Sequence, residues 1–177
     1  CDVSIIRFLP IYNKETVYNT CIAITTIASL IAASIYIAIS AFLPQGKFII
    51  DNPAFIFMFL MFSIMNSISI LTGLAFITLR EAENYFYQNI ILSSRVFLLI
   101  PLIFFGYMGI FGSIGIASII GSIFGLILLS KNIAFRLEIN REFLKKSFTF
   151  AAKNYVATIF AYAPTLLFPI MVLNMLG

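Results

Sequence analysis

The sequence predicts an all-α integral membrane protein with five transmembrane helices, and three observations carry that expectation. Hydrophobic residues make up 62% of the 177 and charged residues only 10%, whereas soluble domains are nearer half apolar and a quarter charged. Mean hydropathy is +1.07, so a soluble fold would leave apolar surface that only lipid could cover. The charges are also clustered, leaving uncharged runs between Glu15 and Lys47, Asp51 and Arg80, Arg95 and Lys131, and after Lys153. About 20 helical residues cross a hydrocarbon core of about 30 Å, so each run reaches across. A closed β-barrel would need strands of alternating polarity, and these runs are apolar all round.

Span boundaries follow from length and from helix breakers. A single helix from Val96 to Ser130 would be about 52 Å long, too long for one pass. Gly106-Tyr107-Met108-Gly109 supplies the break. The expected spans are 17–43, 53–79, 88–106, 110–130 and 149–176. The first places Thr25, Ser29, Ala32, Tyr36 and Ser40 on one stripe, and the second does the same with Ser63, Asn66, Ser67 and Gly73. Such small and polar stripes let helices approach and exchange hydrogen bonds in lipid, or line a polar cavity. In the fourth, Ser113, Ala117, Gly121 and Gly125 recur every four residues and form the expected helix-packing ridge.

Arg95 carries the most information. Counting about 20 residues back from Gly106 puts it about 16 Å deep, near the membrane midplane. An arginine there costs at least about 2.5–3.5 kcal/mol unless it faces protein or water. It either snorkels towards the cytoplasm, helped by Gln88, Asn89, Ser93 and Ser94, or binds an anionic ligand. Lys131 to Ser147 is the longest polar stretch, with Asn140 placed to cap a short basic helix from Arg141 to Lys146. Pro164 and Pro169 should kink or unwind the last span, as a packing feature or a hinge. Lys153, Asn154 and Tyr155 stand at that span's mouth.

Several chemistries lack material. The sequence has no histidine, no acidic residue in any span and only two cysteines, Cys1 and Cys21. No metal site, cofactor or structural disulfide is expected, and no catalytic pairing stands out. The net charge of +4 reads as topology rather than nucleic-acid binding. Arg7, Lys14, Arg80, Lys131, Arg136, Arg141, Lys145, Lys146 and Lys153 fall on one side and Lys47 on the other, Arg95 aside. That asymmetry places the N-terminus in the cytoplasm.

Five features stand out: Ile5-Ile6-Arg7-Phe8-Leu9-Pro10, Phe143-Leu144-Lys145-Lys146-Ser147-Phe148, Lys153-Asn154-Tyr155, Pro164 with Pro169, and Val172-Leu173-Asn174-Met175-Leu176-Gly177. Together they resemble the polysaccharide-biosynthesis flippases of the multidrug, oligosaccharidyl-lipid and polysaccharide exporter superfamily. The resemblance implies a two-lobe transporter of 12–14 helices, with this chain supplying helices three to seven. Residues 1–130 would then belong to the first lobe, 131–148 to a cytoplasmic connecting loop and 149–177 to the first helix of the second lobe. A first residue that is cysteine and a polar opening stretch fit a piece of a longer protein. The implied function is to flip a polyprenyl-phosphate-linked oligosaccharide across the cytoplasmic membrane. The expected partners are that lipid-linked substrate, the bilayer and glycan-assembly proteins.

Within that frame Arg95, Asn154 and Tyr155 are the candidate substrate-binding residues, and Pro164 and Pro169 the candidate hinge. A cation-coupled multidrug exporter is the alternative within the superfamily, but it wants an intramembrane carboxylate that these spans lack. A membrane-embedded glycosyl- or acyltransferase is the alternative from another class, and the chain supplies no evident base, nucleophile or metal set for it. An enzyme is therefore not expected. The topology is open to a direct measurement in a cysteine-free background. Glu138→Cys should resist a membrane-impermeant thiol reagent in intact cells and react once the membrane is opened. Labelling in intact cells would reverse the orientation.

Overall fold

The computed structural model describes residues 2–40, 42, 53–136 and 139–157. Two compact units divide the chain, Cys1–Ile139 and Asn140–Gly177. Every regular element among the described residues is helical. In the first unit these are α1 (Asp2–Phe8), α2 (Lys14–Ser40), α3 (Pro53–Leu79), α4 (Ala82–Ser93), α5 (Arg95–Leu102), a 3₁₀ turn (Ile103–Phe105) and α6 (Tyr107–Leu129). The second unit contributes a helix over residues 141–157, α7. Four stretches are long and apolar enough to cross a membrane: Lys14–Ser40, Pro53–Leu79, Ala82–Phe105 and Met108–Leu129. The expected fifth span, 149–176, lies mostly outside the described residues. Its first part continues α7 without interruption from Arg141.

Local chemistry explains where the helices start and stop. Ile5 on the short α1 and Leu9 just past its end are fully buried, while Ile6 and Arg7 are exposed. Asn13 begins α2 by accepting the Glu15 backbone N–H at 3.0 Å. α3 ends in a Schellman turn. The Glu81 N–H reaches the Phe76 carbonyl at 2.9 Å and the Arg80 N–H reaches Ile77 at 3.2 Å. Arg80 there takes the left-handed conformation, with φ 61°. Asn140 caps α7, its Oδ1 accepting the Phe143 N–H at 3.0 Å. On the same helix Lys146 pairs with Glu142 at 2.8 Å, and that hydrogen bond and charge hold the Glu142 carboxyl below its ordinary range.

The third long stretch starts at Ala82, six residues before the sequence-based boundary. The hydrocarbon length sets where a span must be buried, whereas the backbone becomes helical as soon as the Schellman turn closes. The aromatic turn at Tyr85 to Tyr87 is therefore already helix. About 15 Å of helix separates Arg95 from the Phe105 end.

Contacts between the long helices define an alternating bundle. Tyr18 meets Thr72 (2.9 Å between hydroxyls), Ser29 Oγ donates to the Ser63 carbonyl (3.4 Å), and Tyr36 stacks on Phe59. Rising numbers on α2 meet falling numbers on α3, so the pair is antiparallel. α3 and α6 run parallel instead. Phe55, Phe59 and Phe62 gather round Phe111, Ser118 Oγ lies 3.5 Å from Asn66 Oδ1, and Ser122 donates to the Met65 carbonyl. α4 runs antiparallel to both and packs against each. Helices in lipid gain little from apolar burial, so small residues and shared hydrogen bonds make these interfaces. The shared end of α2, α3, α4 and α6 is tied further by Asn19, whose Nδ2 donates to the Ala134 carbonyl at 3.0 Å. Asn84 and Asn132 both donate to the Glu81 carboxylate there.

The reversal between α5 and α6 depends on two glycines. Pro101 lies inside α5, and Gly106 then adopts φ 62°, ψ −137°, a region only glycine enters without strain. Gly109 passes so close to the preceding helix that a Cβ would stand 1.7 Å from the Leu102 carbonyl oxygen. At Gly112 a Cβ would meet open space. Gly109→Ala should thus lower stability by about 1–3 kcal/mol, the usual range for overpacking, while Gly112→Ala should not. Thermal unfolding of the two variants in detergent compares them directly, and equal melting temperatures would contradict the close approach.

Candidate functional site

α3 and α4 touch where Ser69 and Gly73 face Gln88 and Tyr85, but α3 does not pack closely on α5. The two chains of helix therefore diverge from an apex at Gln88, and α6 closes the back of the V. The space between them is a cavity of about 390 Å³, within the ~300–1,000 Å³ of small-molecule sites. Asn66, Ser69, Gln88, Asn89, Ser93 and Ser118 bring neutral hydrogen-bonding groups to its lining, and Arg95 brings the one charge among the lining residues. Ile70, Leu74, Ile77, Leu92 and Ile114 make the lining amphipathic. Carboxylates are missing from this lining altogether.

Arg95 is exposed at the wide part of this V. Among the described residues it has no carboxylate within ion-pair distance. A guanidinium among apolar helices favours a wet cavity or an anion that accepts its hydrogen bonds.

The sequence offers Gln88 only as polar company for Arg95, and the structure gives it a larger part. It is 1% exposed, inserted between two helices that each yield a glycine to it. A Cβ on Gly125 would lie 2.9 Å from Gln88 Nε2, and one on Gly73 would lie 3.4 Å from Oε1. The Nε2 end donates to the Ser69 carbonyl at 3.1 Å and to Ser69 Oγ at 3.3 Å. The Oε1 end is buried with no hydrogen-bond partner. It lies on the side of Gly73 and Tyr85, both of which line the cavity. Gln88 on α4 and Arg95 at the start of α5, seven residues apart, both line the cavity. That spacing was the available signal, and it was hidden because the partner glycines lie on other helices.

The remaining sequence-derived candidates separate. Ser113, Ala117, Gly121 and Gly125 are all buried, with Gly121 against Leu92 and Gly125 against Gln88 and Thr72. Thr25, Ser29 and Ala32 line a second groove, of about 340 Å³, with Ser67 and Ile70 across it. Asn154 and Tyr155 lie on α7 of the second unit, Asn154 half-buried and Tyr155 exposed. Pro164 and Pro169 lie outside the described residues. No cluster of metal-binding side chains occurs among the described residues.

Comparison with protein-family models, with curated proteins and with solved structures finds no match to this chain.

An unpaired buried acceptor costs about 1–3 kcal/mol, while the amide's donor bonds return about 1 kcal/mol each. Gln88→Leu conserves volume and removes both, so the variant should melt at or above the wild-type temperature. A drop equivalent to more than about 2 kcal/mol would mean that the Ser69 bonds and the fit of the amide between the two glycines outweigh the unpaired acceptor.

Proposed function

We propose that this chain is part of a membrane transporter that flips a polyprenyl-phosphate-linked oligosaccharide across the cytoplasmic membrane by alternating access. The carrying observation is Arg95 in a cavity whose other polar groups are neutral amides and hydroxyls. A phosphate needs a cation, and sugars need neutral donors and acceptors. An amphipathic lining open at one side suits a headgroup whose lipid tail remains in the bilayer. The motif resemblance to oligosaccharide flippases supports the same reading, and so does the division of basic residues. In the first unit Arg7, Lys14, Arg80, Lys131 and Arg136 belong to the end where α2 and α4 begin and α3 and α6 finish. That end is the cytoplasmic one in this reading.

The same lining argues against a cation-coupled drug exporter, whose ion would be drawn to a carboxylate and repelled by Arg95. It also offers no general base or nucleophile for a transferase.

Arg95→Ala should stop export while the protein still inserts, since the phosphate loses its charge-assisted hydrogen bonds. Arg95→Lys keeps the charge but not the planar fork, and should retain part of the activity. The measurement is lipid-linked glycan accumulating in the inner leaflet, normalised to folded protein. Export by Arg95→Ala at the wild-type rate would remove Arg95 from the site.

A further inference from the structure

Two polar groups at this cavity lack partners, Gln88 on α4 and Arg95 at the first residue of α5. Arg95 has no ion pair among the described residues, and Gln88 Oε1 is a buried acceptor with nothing donating to it. Seven residues of helix separate them, a rise of about 10.5 Å. An arginine asks for an anion and a lone carbonyl oxygen asks for a hydrogen-bond donor. The long Arg95 side chain bridges part of that rise, so one molecule that satisfies both carries a negative group and, within the same small headgroup, a hydrogen-bond donor.

We propose that the cavity is a glycosyl-phosphate site, in which Arg95 takes the phosphoryl group and Gln88 Oε1 accepts a hydrogen bond from the attached sugar. This rests on the transport reading above and adds to it the first sugar as a recognised element. The charge count fits a single phosphoryl, because Arg95 is the one charged residue in the lining. The volume of about 390 Å³ accommodates one sugar ring with its phosphate, leaving a longer glycan outside. The neutral groups on the walls, Asn66, Asn89 and Ser118 among them, match the remaining hydroxyls. The Gln88 amide is held by its other end, since Nε2 is engaged with Ser69 and cannot exchange roles freely with Oε1. The Tyr85 ring lies beside Oε1 at Gly73 and is 37% exposed, so binding of this kind requires that ring to turn aside for the sugar to reach the acceptor. A site that pairs a buried acceptor with a donor on its ligand discriminates strongly against ligands that lack the donor.

The test measures binding to the full chain in lipid nanodiscs, using inorganic phosphate, a hexose 1-phosphate, farnesyl phosphate and farnesyl-phosphoryl hexose as probes. The wild type should bind hexose 1-phosphate about tenfold more tightly than inorganic phosphate, the worth of one well-made hydrogen bond. Gln88→Met should bring that ratio close to one and leave phosphate binding in place. Arg95→Gln should weaken both probes together, about tenfold or more, and leave the ratio unchanged. A ratio near one in the wild type, or a ratio untouched by Gln88→Met, overturns the proposal. If Gln88→Met does not fold, a series of monodeoxy hexose 1-phosphates on the unmodified protein takes its place. One member must then lose the tenfold advantage, and a series that binds uniformly overturns the proposal too. The farnesyl probes separate the two readings. Tighter binding of farnesyl-phosphoryl hexose than of the free sugar phosphate supports a lipid-borne ligand. Equal binding leaves the sugar site standing and removes the lipid-linked substrate on which the transport reading depends.

Discussion

A carboxamide can be buried at the centre of an apolar helix bundle only where its neighbours surrender their side chains to it. Gly73 on α3 and Gly125 on α6 do this for Gln88. Much of the cavity's geometry depends on that slot. It draws α4 against both helices at one level, and Ser69 pays the amide back with a carbonyl and a hydroxyl. Because the fit is local, α4 and α3 are not held together further along. Where they separate, the walls of the cavity and the position of Arg95 are set.

Elsewhere the bundle settles many of its hydroxyls within their own helix. The hydroxyls of Ser34, Ser67, Thr72, Thr78 and Ser118 each donate to a carbonyl four residues back. A hydroxyl that satisfies itself this way costs little in hydrocarbon and makes small demands on its neighbours. The amide of Gln88 is too long for that solution and must reach across to another helix. This contrast explains why polar side chains abound in the apolar spans while one acceptor, Gln88 Oε1, stands out among the described residues as buried and unsatisfied.

Much of this was legible in the sequence, because span length and glycine chemistry act locally. The bounds of α3, the reversal at Gly106 and the Asn140 cap were all readable from a few adjacent residues. The start of the third span was not, since counting hydrocarbon thickness says nothing about a turn that makes the interfacial residues helical. Nor was the role of Gln88, whose slot is assembled from glycines 15 and 37 positions away in the chain. Side-chain spacing on one helix shows that a face is small or polar. Which helix fills that face is a property of the bundle, and the parallel pairing of α3 with α6 was accordingly invisible.

That parallel pairing has a consequence for biogenesis. The two-residue link Arg80-Glu81 makes α3 and α4 a hairpin that can associate as soon as both are in the bilayer. α3 and α6 can meet only after the chain has crossed back once more and turned at Gly106. The back wall of the cavity is therefore the last part of this unit to be laid down. Until then the Gln88 amide has Ser69 on one side and open lipid on the other. A nascent chain stalled before α6 would present that polar edge to the membrane, a feature by which quality-control machinery could tell an unfinished bundle from a finished one.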